Sequence, residues 1–140
     1  MNLNSIVVGY DGSVESENAV RWAVRLAHGV DATVTVLHAA GILERLDTPF
    51  SRSATPEAVE RIVAEERLDA ARCHWVVDDG DACSALLRSA APPIGAQLLV
   101  VGSRGHGKRP GMLIGSVSLE VVQHAAVPVV VIPGFEAPVQ

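Results

Sequence analysis

Five short runs of β-branched and other apolar residues alternate with segments of helical periodicity, and this alternation constrains the fold more than any other feature. The runs occupy residues 5–11 (SIVVGYD), 32–38 (ATVTVLH), 73–79 (CHWVVDD), 97–103 (QLLVVGS) and 128–133 (PVVVIP). Most of their apolar residues are consecutive, a pattern typical of strands that are covered on both faces. Because parallel neighbours need crossover helices, the chain is predicted to be an α/β protein with one doubly wound parallel sheet.

Four helices are predicted between these strands. In the first, apolar residues repeat at positions 20, 23, 24 and 27, which gives an amphipathic helix. The second is predicted to begin at Thr55-Pro56, with the threonine hydroxyl as its cap, and to run to about residue 71. Asp81 is predicted to cap a third helix that ends near residue 91. Gly115-Ser116 is predicted to open a fourth that ends near residue 125.

Length and composition limit the classes of function. The chain has 140 residues, of which 49% are apolar, enough for a single domain over residues 1–140. The net charge of −5 argues against binding to nucleic acid or anionic lipid. The sequence contains no secretory signal and no apolar stretch of about 20 residues, so we expect a cytoplasmic protein that does not enter the membrane. Its cysteines and histidines lack the spacing of a metal site.

The most suggestive motif is VVGSRGHGKR at residues 100–109, which contains G-x-x-x-x-G-K. A P-loop needs serine or threonine after the lysine to ligate magnesium, and here that residue is Arg109. Pro110 then interrupts the helix that a P-loop opens. The motif is therefore not a P-loop.

A different glycine spacing remains: Gly102, two residues, Gly105, nine residues, then Gly115-Ser116. Two glycines at a strand end let the backbone approach a ligand closely, and a helix N-terminus favours negative charge. Each part taken alone is more often a plain turn or helix cap. Their combination after the fourth strand, in a loop that also carries Arg104, predicts an anion site.

With Val117-Ser118 after it and VPVVVIP near the end of the chain, this spacing resembles the ATP-binding signature of the universal stress protein family. The opening IVVGYDGS and the second strand VTVLHA are also similar to that family. The resemblance implies a sheet of order 3-2-1-4-5 that binds ATP, accompanied by Mg²⁺, at its switch point.

The resemblance also implies which residues contact the nucleotide. Gly9, Tyr10 and Asp11, together with Ala39, would border adenine and ribose. Val101 and Gly102 would lie against the ribose, and the phosphates would be held by the amides and hydroxyls of Gly105, Gly115, Ser116, Val117 and Ser118. Arg104 would add positive charge, although it is not part of the family's core motif. Asp11 has the alternative role of forming an Asx turn before the first helix. Tyr10 is larger than the usual residue, so it either stacks on the base or crowds it.

Hydrolysis needs a positioned base, and the sequence offers none that is convincing. The acidic residues Asp78, Asp79 and Asp81 fall on an edge strand, where turn formation and helix capping are the expected roles. We therefore expect a nucleotide-responsive stress-response module with at most slow ATP hydrolysis. The alternatives are a slow ATPase or phosphoryl or nucleotidyl transferase, and a stress protein that acts without nucleotide through a dimer surface.

Two further expectations concern the surface. The family commonly dimerises through its last strand, so residues 127–132 (VPVVVI) are expected to form a homodimer edge. The connection over residues 39–54 is longer than most loops in compact α/β proteins, and it is either a lid or a disordered segment.

Overall fold

The computed structural model describes residues 2–41, 50–103 and 115–133. Its sheet contains five strands in the order β3-β2-β1-β4-β5, and every neighbouring pair is parallel. The strands are β1 (Ser5–Gly9), β2 (Thr33–Ala39), β3 (Cys73–Asp78), β4 (Leu98–Gly102) and β5 (Val129–Ile132). The predicted fold class and strand order are therefore confirmed.

The helices cover both faces of this sheet. They are α1 (Val14–Val30), α2 (Glu57–Glu65), α3 (Ala82–Arg88) and α4 (Ser116–His124). On one face α1 and α2 pack over Ile6, Val8 and Val36, whereas on the other α3 and α4 pack over Val7 and Leu99. Successive strand residues thus enter opposite halves of the core, which explains why the apolar runs are continuous.

The prediction for α2 was wrong at both ends. Pro56 rather than Thr55 occupies the N-cap, and no side chain caps this helix. At the other end Arg67 adopts a left-handed backbone with φ of 62°, and a single 3₁₀ turn, Ala70–Arg72, follows. The amides of Arg67 and Leu68 donate to the carbonyls of Ala64 and Val63, a Schellman motif formed without glycine.

The prediction for α3 was correct at its start and too long at its end. Asp81 caps the helix by accepting a hydrogen bond from the Ser84 amide at 2.9 Å. The helix ends at Arg88 because the Ser89 hydroxyl donates to the Leu86 carbonyl and the proline pair Pro92-Pro93 follows.

Gln97 fixes the start of β1 from the neighbouring strand. Its Oε1 accepts hydrogen bonds from the amides of Asn4 and Ser5, and its Nε2 donates to the carbonyl of Asn2. The side chain thereby holds the first residues of β1 beside β4 at the end of the sheet opposite the candidate site.

Candidate functional site

The candidate site lies where the winding of the sheet reverses. Strands β1 and β4 are neighbours, but β1 continues into α1 on one face and β4 leads to α4 on the other. The backbone leaves to opposite faces of the sheet after Gly9 and after Gly102. A crevice is therefore expected between the two connections. Crevices of this kind at the carboxyl ends of strands are where doubly wound sheets bind ligands.

The turn from β1 to α1 is held by its own side chains. Asp11 accepts a hydrogen bond from the Ser13 amide at 2.9 Å, and Ser13 caps α1 by accepting from the Ser16 amide at 3.1 Å. The Ser16 hydroxyl in turn accepts from the Asp11 amide at 3.2 Å. Gly12 has φ of +85°, a backbone conformation that favours glycine. Asp11 therefore forms the Asx turn that was its alternative role, and its contact with a nucleotide stays a prediction.

Two small residues lie on the α3 and α4 side of the crevice. A Cβ placed on Gly9 would lie 3.5 Å from the methyl carbons of Leu86, an ordinary contact distance. Ala39, at the end of β2, is half-buried on the same side. Packing against Leu86 therefore does not by itself require glycine at position 9. Glycine would be required there if a ligand approached the backbone closely.

Tyr10 points to the opposite face of the sheet. Its ring is 5% exposed and lies in the core beneath α1 and α2, in contact with Phe50 and Trp75. Burial raises the pKa of the phenol, and the nearby carboxylates of Glu17 and Asp11 add to the increase, so the ring is neutral. In this structure Tyr10 packs against protein side chains, and only its backbone borders the crevice.

Four aromatic rings, which were not predicted to cluster, lie near the carboxyl ends of β1 and β2 and against β3. The rings belong to Tyr10, His38, Phe50 and Trp75. Phe50 contacts the other three, with ring centroids 4.7 Å from His38, 5.5 Å from Tyr10 and 5.8 Å from Trp75. Nδ1 of the buried His38 lies 2.9 Å from the Tyr10 carbonyl oxygen. The cluster thus supports the backbone of Tyr10 from below the crevice.

The end of the long connection before α2 is fastened to β3. The indole of Trp75 donates to the Ser51 carbonyl at 2.7 Å, and Arg52 donates to the Val77 carbonyl at 3.2 Å. Arg52 also pairs with Asp79. Of the predicted lid or disordered segment, residues 42–49 lie outside the described residues.

The start of α4 closes the other side of the crevice. The Ser118 hydroxyl donates to the Gly102 carbonyl at 2.5 Å, and the Gly115 amide donates to the Ser103 carbonyl. These bonds join the beginning of α4 to the end of β4. Val101 and Ser118 are buried, whereas Ser116 and Val117 are exposed.

Among the described residues, no side chain caps the N-terminus of α4. Its N-cap residue is Gly115, and its first intrahelical bond runs from the Leu119 amide to the Gly115 carbonyl. The amides of the three preceding residues thus point out of the helix without an intrahelical acceptor. In α1 and α3, by contrast, Ser13 and Asp81 accept from such amides. Arg104 and Gly105, which were predicted to join this site, lie outside the described residues.

The acidic residues after β3 have the predicted structural roles. Asp78 accepts from the Gly80 amide at 2.7 Å and pairs with Arg88 at 2.8 Å. Asp81 caps α3, and the hydrogen bonds it accepts from Ser84 lower the pKa of its carboxyl group. Across residues 2–41, 50–103 and 115–133, no three His, Cys, Asp or Glu side chains are grouped as metal ligands would be.

Comparisons with a family model and with individual sequences indicate the same family. The model of the universal stress protein family matches residues 2–133. Universal stress protein Rv2623 of Mycobacterium tuberculosis is 37% identical over 134 residues, which cover 90% of this chain and 44% of that protein. The chain therefore spans less than half the length of this curated relative.

Solved structures share the fold over nearly the whole chain. A universal stress protein in complex with cAMP is 25% identical, with a TM-score of 0.65 over 96% of this chain and 100% of that one. The universal stress protein from Archaeoglobus fulgidus in complex with dAMP is 23% identical, with a TM-score of 0.65 over 94% and 99% of the two chains. None of the helices in the described part of this chain is both long and apolar enough to cross a membrane.

Proposed function

This chain belongs to the universal stress protein family, and from that premise we propose that it binds an adenine nucleotide in the crevice between β1 and β4 and responds to it as a stress-response module. The observation that carries the proposal is the uncapped N-terminus of α4 beside the end of β4. Outward amides at a helix N-terminus, reinforced by the helix dipole, suit a phosphate group. The cAMP complex of a relative that is 25% identical supports an adenine nucleotide.

We assign the two halves of the nucleotide to the two sides of the crevice. The base and ribose would lie beside Gly9 and Ala39, whose small size allows close approach to the backbone of Tyr10 and Asp11. The exposed residues Ser116 and Val117 would meet the phosphates through their amides, and Ser116 also through its hydroxyl. ATP with Mg²⁺ is the proposed ligand because the glycine spacing that ends at Gly115-Ser116 resembles the ATP-binding signature, and Mg²⁺ would neutralise its phosphates.

We further propose that hydrolysis is slow at most. A catalytic base must be free to accept a proton from the attacking water. Asp78 and Asp81 are engaged in turn, ion-pair and capping contacts, and Asp11 accepts from the Ser13 amide. These contacts favour regulated binding over turnover.

The test begins with protein purified without added nucleotide and then denatured, so that any released ligand is identified by chromatography and mass spectrometry. A thermal-shift titration with ATP and Mg²⁺ follows, with AMP and cAMP in parallel. A ligand at about 100 times its dissociation constant adds about 2.7 kcal/mol to the free energy of unfolding.

Gly115→Val is the matched disruption, because φ of −76° and ψ of 163° suit any residue, so the substitution tests ligand approach rather than backbone strain. Gly29→Val is the control, since a Cβ at that position meets nothing within 4 Å. We expect the ATP-induced shift to disappear in Gly115→Val and to persist in Gly29→Val. A chain that carries no nucleotide and shows no shift with any of the three would contradict the proposal.

We also propose a homodimer formed through β5, which is an edge of the sheet. Its four residues are apolar and half-buried, and an unprotected apolar edge favours strand pairing. The carbonyls of Pro128 and Ile132 accept hydrogen bonds from β4 and from the residue after it. Because the backbone groups of successive strand residues point to opposite sides, the amide of Val131 points away from β4. Val131→Pro should therefore give a monomer of 14.7 kDa by light scattering, while Val131→Ala should remain a dimer. A monomeric Val131→Ala or wild-type protein at micromolar concentration would refute this pairing.

A further inference from the structure

A second cavity lies away from the crevice, between α2 and the edge strand β3. It has a volume of about 470 Å³, within the range of small-molecule sites. Its walls include Val63 and Ala64 of α2, Leu68 and Ala70 after that helix, and Cys73 at the start of β3. None of these residues belongs to the candidate nucleotide site.

The lining is apolar apart from two side chains on the α2 side. Val63 and Leu68 are 7% and 6% exposed and form a floor within the core, whereas Glu60, Ala64 and Ala70 are exposed and form an open rim. Burial raises the pKa of the Cys73 thiol to about 11, so the thiol is protonated and uncharged near neutral pH. Thr55 supplies a hydroxyl just before α2, and Glu60 supplies the only charged side chain among the described residues of the lining.

Glu60 is the charged group at the rim of this cavity. Its neighbours on the helix are paired with α1: Glu65 and Glu66 bind Arg21, and Arg61 lies 3.9 Å from Glu17. Within the described residues Glu60 forms no ion pair. An apolar cavity of this size with one carboxylate at its rim and no basic lining residue complements a compact apolar molecule that carries a positive charge.

We propose that the cavity between α2 and β3 binds a small amphiphilic amine, with its apolar body against Val63 and Leu68 and its ammonium group near Glu60. The site is independent of the nucleotide crevice. The chain thus has a second ligand site on the opposite edge of the sheet from β5.

The probe is 2-phenylethylammonium, with 2-phenylethanol and phenylacetate as neutral and anionic molecules of nearly the same shape. Amide shifts of the ¹⁵N-labelled protein are followed during titration. We expect saturable shifts at Val63, Leu68 and Cys73, with the amine binding two- to about fivefold more tightly than the alcohol, as for an ion pair at an exposed rim. The carboxylate should bind most weakly.

Variants identify the groups responsible. Glu60→Gln should abolish the preference for the amine over the alcohol, and Glu57→Gln, the same change one turn earlier and outside the cavity, should preserve it. Ala64→Phe should fill the cavity and prevent binding of all three probes, with Ala70→Leu as a second filling variant if the first does not fold.

Cysteine reactivity provides an independent readout. Methyl methanethiosulfonate modifies both free cysteines, and mass spectrometry separates Cys73 in the cavity from Cys83 on α3. The amine should slow modification of Cys73 alone, and ATP should have no effect on it. Equal shifts with all three probes, no saturable shift at millimolar concentration, or equal protection of the two cysteines would each overturn the proposal.

Discussion

Alanine substitutions of two serines at the start of α4 should affect different properties: the one at Ser118 should lower stability, and the one at Ser116 should weaken nucleotide binding. Ser118 is 6% exposed, and its hydroxyl donates to the Gly102 carbonyl at 2.5 Å. Ser118→Ala removes this donor and leaves a carbonyl without its partner at the end of a central strand. Ser116, two residues earlier, is exposed and provides a matched position for the same substitution.

The expected magnitude follows from that one bond. Loss of a buried hydrogen bond that leaves a carbonyl unsatisfied costs about 1–3 kcal/mol. Alanine is the better helix former by roughly 0.5 kcal/mol, which offsets part of the loss. Ser118→Ala should therefore lower the free energy of unfolding by about 1.5 kcal/mol, or roughly 5 °C in melting temperature for a chain of this size.

Urea unfolding followed by circular dichroism measures this change. Ser116→Ala should stay within about 0.5 kcal/mol of the wild type, as expected for an exposed side chain, yet weaken ATP binding. Equal stability losses in the two variants, or a loss below about 0.5 kcal/mol for Ser118→Ala, would refute the structural role of this bond.

The remaining predictions address the core, the aromatic cluster and two titrating groups. Leu99→Ala, at a fully buried position of β4, should lower the free energy of unfolding by about 3 kcal/mol in urea, and a change under about 1 kcal/mol would contradict its burial. Phe50→Ala should lower that free energy by about 2 kcal/mol and alter the fluorescence of Trp75; unchanged emission would mean that the rings do not touch. Because the folded-state pKa of Asp81 lies below its unfolded value, its contribution to stability is present above about pH 4 and is lost as the pH falls through the folded pKa. Asp81→Asn should flatten that acid limb in a pH series of urea unfolding, and an unaltered slope would argue against the cap. With a pKa of about 11 against an ordinary 9.0, Cys73 should have a thiolate fraction at pH 8 roughly a hundredfold below that of an exposed cysteine, so it should react more slowly with thiol reagents; equal rates would contradict its burial.

Much of the fold could be predicted because the patterns that indicate its strands and helix starts involve residues close together in the sequence. Continuous apolar runs predict strands that are covered on both faces, as the alternation of Val7 and Val8 between the two halves of the core shows. Asp81 likewise predicts a helix start because a carboxylate that caps an amide three residues later acts within one turn. The strand order came from the glycine spacing through its resemblance to a family.

The end of α2 could not be predicted in the same way. The usual signal is a glycine in the left-handed conformation, and here Arg67 takes that conformation instead. The left-handed backbone at Arg67 reverses the chain direction and returns Leu68 to the core, where it is 6% exposed. The sequence shows an arginine in a charged segment and no reason for the helix to stop.

The surroundings of the candidate site depend even more on tertiary structure. The sequence by itself determined which strand ends carry small residues and where a helix begins with glycine, since these are properties of adjacent residues. Only the tertiary structure decided that Tyr10 turns away from the crevice and packs with His38, Phe50 and Trp75. Those rings come from the end of β1, from β2, from β3 and from the connection before α2, and Tyr10 and Trp75 are 65 residues apart in the chain. Their contact exists because parallel pairing places β1, β2 and β3 side by side in the sheet, and no local pattern records which side chains will meet across them.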